Sequence, residues 1–181
     1  MPRGAHWDHR GKAMNITRLT YYSRISIDGE AQSIADRFED ILIESVTNNR
    51  RDDVTGALIH DDTWFAQVLE GSEAAVSATF ERIWRDRRHC DVRLVKIQPV
   101  AARRFAASWM TLVGRHESNA DLFRHYGEGE RFDPQLMLAD RLGDLIEALA
   151  ARAPGAQVRL LDSPPRVASE SAPLRYGARS R

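Results

Sequence analysis

The chain reads as an α+β sandwich in which two amphipathic helices cover one face of a five-stranded mixed sheet. Two observations predict it. Stretches with the strand period of two and stretches with the helical period succeed one another in the order βαββαββ between residues 15 and 115. Two of the strand-like runs, Val54 to His60 and Trp64 to Leu69, are separated only by Asp61, Asp62 and Thr63, which is the spacing of a tight antiparallel hairpin. Two helices on one face of such a sheet is the ferredoxin-like arrangement, here with one added strand. A chain of 181 residues that is 43% hydrophobic can fill one sizeable core of this kind.

The first strand is expected over Ile16 to Ser23, where ITRLTYYS is rich in β-branched and aromatic residues and leads to a turn-forming Asp28-Gly29. Ser33 with Asp36 three residues on marks a helix start. Ile34, Phe38, Ile41, Leu42 and Ser45 then recur at helical spacing, and Asn48 or Asn49 is expected to end the helix in the left-handed conformation. After the hairpin, Ser72 caps a second helix whose face carries Val76, Phe80, Ile83 and Trp84. Arg85, Arg87, Arg88 and His89 finish it, as the helix dipole prefers. VRLVKI at 92 to 97 and WMTLV at 109 to 113 supply the last two strands around a break at Pro99. Further on, Asn119 caps a short helix closed by Gly127. Asp133-Pro134 opens another with Leu138, Leu142, Leu145, Ile146 and Leu149 at helical spacing. The expected organisation is a disordered arm over 1–14, a core domain over 15–115, a helical extension over 116–155 and a disordered tail over 156–181. Regular structure beginning just after Met14 makes that residue a candidate natural start.

Composition excludes several classes. The 26 basic and 26 acidic residues cancel, so the positive surface that nucleic-acid binding requires is absent. No apolar run approaches the roughly 20 residues of a membrane span, and the mean hydropathy is −0.46. With the single Cys90, neither an internal disulfide nor a thiolate metal site is expected, which suits a reducing cytoplasm. The six histidines form no i, i+4 pair. GxSxG, HExxH, Walker and GxGxxG patterns are all missing.

What stands out is a set of polar residues on apolar elements: Tyr21 in the first strand, Asn48 and Asn49 at a helix end, and Gln67 inside the third strand. An unpaired buried carboxamide costs on the order of 1 to 3 kcal/mol, so a buried Gln67 needs a partner such as a tyrosine hydroxyl. Carboxamides also suit the edge of a planar heterocycle. On periodicity alone a second reading stays open, in which Gln67 faces solvent and the asparagines merely cap.

The strings LTYYSR at 19 to 24, ILIESVTNNRRDDVTGAL at 41 to 58, WFAQVLEGSEAAV at 64 to 76, RIWRDRRH at 82 to 89 and PVAARRFAASWM at 99 to 110 resemble the BLUF domain, a flavin-using blue-light sensor. The resemblance covers about a hundred residues in the right order. It implies that Tyr21 is the photoactive tyrosine, that Gln67 is the glutamine between that phenol and the flavin ring, and that Met110 belongs to the switch. It implies that Asn48 and Asn49 hydrogen-bond the polar edge of the ring, that Arg82, Asp86, Arg88 and His89 border the cofactor, and that Ile34, Phe65 and Ile83 form apolar walls. FAD is the implied cofactor, with FMN or riboflavin as variants. Ser108 stands where the family has a tryptophan, and strand alternation places Ser108 and Met110 on one face and Trp109 on the other.

The function so implied is that of a short photoreceptor, not an enzyme, acting through a separate effector protein. The residues after 115 are too few for a cyclase or phosphodiesterase domain of ~100 to 200 residues. Homo-oligomers are expected, because an open apolar sheet face needs cover from the C-terminal helices or a second copy. Two alternatives are a small acylphosphatase-like enzyme, separated by flavin content, and a light-insensitive regulatory module of the same fold, separated by light response.

Overall fold

A computed structural model describes residues 16–27, 31–127 and 131–153, the side chains of 31–35 excepted. The Asp28-Gly29 turn, the arm over 1–14 with Met14, and the tail over 156–181 lie outside the described residues. The elements are β1 (Ile16–Ile25), α1 (Ala31–Asp52), β2 (Thr55–His60), β3 (Trp64–Gly71), α2 (Glu73–Arg85), β4 (His89–Val100), β5 (Thr111–Gly114), α3 (Ala120–Tyr126) and α4 (Ala139–Arg152). Short 3-10 turns at Glu117–Asn119 and Pro134–Leu136 precede the last two helices. The sheet order is β4-β1-β3-β2-β5, antiparallel throughout except where β5 runs parallel to β2. This is the expected mixed sheet in the expected element order.

Several boundaries differ from the expectation for identifiable reasons. Ser33 lies inside the first turn of α1, which begins at Ala31. At its other end α1 runs through Asn48 and Asn49 to Asp52, and the left-handed residue is Asp53 at φ 52°. The Val54 amide donates back to the Asn49 carbonyl at 2.9 Å, the six-to-one bond of a Schellman turn. Asn49 is buried and uses its side chain elsewhere, so it does not terminate the helix. Helix α2 begins as expected, Ser72 accepting from the Ala75 amide, but ends at Arg85 with Asp86 as its C-cap; His89 already belongs to β4.

Pro99 does not break β4, because β4 is the outer strand and a missing N–H is tolerated there. The strand is bulged against β1 at two places, between Thr20 and Tyr21 and between Tyr22 and Arg24, and Asp91 at φ 51° sits in the second. Trp109 and Met110 lie just before β5. Asn119 is the N-cap residue of α3 as expected, but its side chain bonds backward to His116 and Gly114 and makes no capping bond to the helix. Helix α4 starts at Ala139, after the 3-10 turn at Pro134, which leaves Leu138 as an exposed N-cap residue outside the buried stripe.

Two cores result, one on each face of the sheet. Leu19, Tyr21, Leu58, Phe65 and Leu69 meet Ile41 of α1 and Val76 of α2. On the other face Ala57, Ile59, Ala66 and Val68 meet Leu142, Leu145, Ile146 and Leu149 of α4 and Phe123 of α3. The two alanines leave room for α4 to lie close against the strands. Thus the chain's own C-terminal helices cover the sheet face whose exposure was the reason to expect oligomers.

Candidate functional site

The pairing of β1 with β3 sets Tyr21 directly opposite Gln67, both on the α1/α2 face. The Tyr21 hydroxyl donates to Gln67 Oε1. Gln67 Nε2 in turn donates to Met110 Sδ at 3.2 Å. All three side chains are buried, so the carboxamide has protein partners on both its atoms. Burial, with the Asp86 carboxylate adding to it, holds the Tyr21 phenol far above its ordinary range, and the hydroxyl keeps its proton.

Beside Gln67 a cavity of about 200 Å³ opens between α1 and α2, lined by Glu44, Ser45, Asn48, Asn49, Gln67, Thr79, Arg82, Ile83, Asp86 and Arg88. Seven of the sequence-derived candidates, Asn48, Asn49, Gln67, Arg82, Ile83, Asp86 and Arg88, therefore converge on one space. Asn49 Nδ2 donates to the Trp109 carbonyl at 2.8 Å, tying α1 to the segment that carries Met110. Ion pairs tie α1 to α2 and to the turn after α2 at the rim: Arg82 to Asp52 at 2.8 Å and Arg88 to Glu44 at 2.6 Å. Arg88 also holds Asp86 at 2.6 Å; with that partner the Asp86 carboxyl lies below its ordinary range, although its own partial burial acts in the opposite direction.

Not every candidate reaches the cavity. His89 and Phe65 pack behind it, their rings 4.6 Å apart and His89 6.3 Å from the Tyr21 ring. His89 Nδ1 shares a hydrogen bond of 2.8 Å with Ser23 Oγ, and burial pushes its pKa down to about 4, with Arg88 adding to the effect and Asp86 opposing it. Ile34 lies on the first turn of α1, and its side chain is outside the described residues. Glu44, Ser45 and Thr79 line the cavity without being sequence-derived candidates; Ser45, a polar residue in the periodic stripe of α1, and Thr79, one turn from Val76 on the buried face of α2, leave a trace in the sequence. The strand alternation expected for Ser108, Trp109 and Met110 does not hold, because they lie in the irregular stretch before β5: Met110 packs in the core on the α1/α2 face, Ser108 bonds Thr111, which stands opposite Ala57 of the other face, and Trp109 is half-buried. Ser108 Oγ bonds the Gly56 carbonyl at 3.3 Å and Thr111 Oγ1 at 2.7 Å, so a small hydroxyl is built into the position where a tryptophan was expected from resemblance.

The donor set fits a flavin. Its ring edge alternates carbonyl acceptors with an N–H donor, and Asn48, Asn49 and Gln67 offer carboxamides that both donate and accept. The cavity is smaller than the ~300–1,000 Å³ of whole-ligand pockets, which suits the ring with its extension outside. By contrast Arg82 and Arg88 are already paired with carboxylates, unlike the free cations of a phosphate cradle.

Comparison with known proteins gives the same answer. The blue light- and temperature-regulated antirepressor BluF of Escherichia coli (strain K12) is 32% identical over 97 residues, 54% of this chain and 23% of that protein. The photoactivated adenylate cyclase subunit beta-like protein FB of Euglena gracilis is 30% identical over 94 residues, 52% of this chain and 10% of that protein. The chain thus spans only a small part of these curated relatives. Among solved structures, BlrB, a BLUF protein in its dark state, superposes with a TM-score of 0.64 at 30% identity over 76% of this chain and 97% of that one. The photo-activated state of BlsA gives 0.66 at 27% identity over 75% and 94%. The model of the family described as BLUF, sensors of blue-light using FAD, matches residues 16–111, and the chain belongs to that family.

Proposed function

We propose that this chain is a blue-light photoreceptor that holds FAD non-covalently between α1 and α2 and passes its signal to a separate effector protein. The single observation that carries the reading is Gln67, bonded to Tyr21 by its oxygen and to Met110 by its nitrogen while lining the cavity. Residues 15–115 form the sensory core and 116–155 a helical extension. Asn48, Asn49, Arg82, Ile83, Asp86 and Arg88 border the ring, and Phe65 and His89 back it.

When bound, the flavin supplies a chromophore that absorbs blue light and, once excited, accepts an electron. Tyr21 is placed to supply that electron, and its hydroxyl proton is directed at Gln67 Oε1 by the hydrogen bond it donates there. Rotating the Gln67 carboxamide exchanges the atoms that face Tyr21 and Met110. A hydroxyl can donate or accept, so Tyr21 satisfies either orientation. The Met110 sulfur accepts but cannot donate, so the rotated oxygen gives up that partner and takes its hydrogen bond elsewhere in the site; a buried network with two such unequal arrangements is what a light-driven switch needs. The closed apolar surroundings of Tyr21 and Phe65 exclude water that would otherwise offer the amide other partners.

The test is an absorption spectrum of the flavin-loaded protein in the dark, after blue light, and after dark recovery. A small, reversible red shift of the flavin band is expected. Bound flavin without a shift points to a light-insensitive module, and failure to take up flavin on reconstitution overturns the reading.

A further inference from the structure

Glu70 lies three residues beyond Gln67 on β3, on the opposite face of the sheet, and is completely buried. Taking a carboxylate out of water is costly unless its oxygens are fully engaged. Here they are: Oε1 accepts from Arg18 Nε at 2.6 Å and from the Arg104 amide at 3.1 Å, while Oε2 accepts from the Phe105 amide at 3.0 Å. Two of the three donors are backbone groups of the segment joining β4 to β5. This side chain therefore serves as the receptor for that connection, which gives it a purpose beyond filling the core.

Its partners sit where they control the switch. Arg18 is three residues before Tyr21 on β1, and the register that sets Tyr21 opposite Gln67 also sets Arg18 opposite Glu70. From Phe105 the chain is fixed step by step to Met110: the Ser108 amide donates to the Phe105 carbonyl at 2.9 Å, and the Gly56 amide donates to the Ser108 carbonyl at 3.0 Å. Arg103 strengthens the same anchor, bonding the Glu70 carbonyl at 3.3 Å, Thr55 Oγ1 at 3.2 Å and Asp53 Oδ2 at 2.7 Å. On the far side Arg104 extends to α4, reaching Glu147 at 2.5 Å and Asp144 at 3.4 Å.

We propose that Glu70 is a positioning residue of the light switch: it fixes the Arg103–Phe105 segment, holds Met110 against the Gln67 carboxamide through it, and connects that contact to α4 by way of Arg104. The proposal rests on the photoreceptor reading and adds to it a mechanical link between the two faces of the sheet. If Met110 is held less firmly it follows the carboxamide as it turns, and the barrier between the two arrangements falls.

The test compares dark recovery after blue light in the flavin-loaded full chain carrying Glu70→Gln, Met110→Ala, or both. Glu70→Gln is expected to keep the red shift and to recover about fivefold faster, the factor that one net hydrogen bond supplies. In the Met110→Ala background the same substitution is expected to change recovery by less than about twofold, since the residue it acts through is gone. Unchanged recovery with a full shift, or an equal factor in both backgrounds, overturns the role of Glu70 and leaves the photoreceptor reading intact. No shift in the flavin-loaded wild-type chain removes both. Should Glu70→Gln fail to fold, hydrogen exchange of the Arg104 and Phe105 amides in the wild-type chain decides: faster exchange under continuous blue light supports the link, and unchanged exchange overturns it.

Discussion

The role proposed for Gln67 rests on the two unlike partners at either end of its carboxamide. Replacing it with leucine keeps most of the volume and removes both bonds, so Gln67→Leu is expected to bind flavin and to lose the light-induced shift, read as the difference spectrum. His89 makes a different prediction. Its pKa falls from 6.5 to about 4 on folding, so between those values the unfolded chain binds the proton first. Stability is therefore complete above about pH 6.5 and is lost as pH falls toward 4, by up to about 3 kcal/mol. Denaturant midpoints measured from pH 7 to 4 should decline, and the decline should flatten in His89→Gln. At this scale the sequence made Tyr21, Gln67 and Met110 legible because resemblance marks them. Glu70 was not, since a lone acid in the run WFAQVLEG looks like a strand end until its three donors, two of them backbone amides from more than thirty residues away, are known.

Elements were legible to the degree that their pattern is local. The hairpin of β2 and β3 is one case: Asp61 Oδ1 accepts from the Thr63 and Trp64 amides at 2.8 and 2.7 Å, so the turn chemistry is contained in four residues. The end of α1 was misplaced because asparagine is compatible with both a helix interior and a stop, and tertiary contact of Asn49 with Trp109 decides between them. The extent of β4 was likewise hidden, because tolerance of Pro99 depends on the strand being outermost. Gly56 carries a sharper consequence for its element. A Cβ there would collide with the Val68 carbonyl oxygen, so β2 and β3 approach this closely only with glycine. Gly56→Ala is expected to destabilise by roughly 2 kcal/mol or more, since backbone must shift, and to loosen the Ser108 contact; thermal unfolding with and without flavin checks it.

For the whole molecule, the arrangement of a sheet with a different core on each face assigns the faces different tasks: one surrounds the Tyr21–Gln67–Met110 network and the other receives α4. The stripe Leu142, Leu145, Ile146 and Leu149 is fully buried, and Leu145→Ala is expected to cost about 2 to 5 kcal/mol in unfolding free energy. Removing residues 131–181 exposes Ala57, Ile59, Ala66 and Val68 together. Size-exclusion chromatography is expected to show association of the shortened chain at concentrations where the full chain is monodisperse. The paired bulges of β4 bear on association by another route. Twelve residues of outer strand present a long row of backbone groups, a template on which a foreign strand could zip and fibrils could grow. By twisting that row out of register twice, the bulges deny such a strand more than a few consecutive bonds, and the longest strand among the described residues is thereby guarded against aggregation.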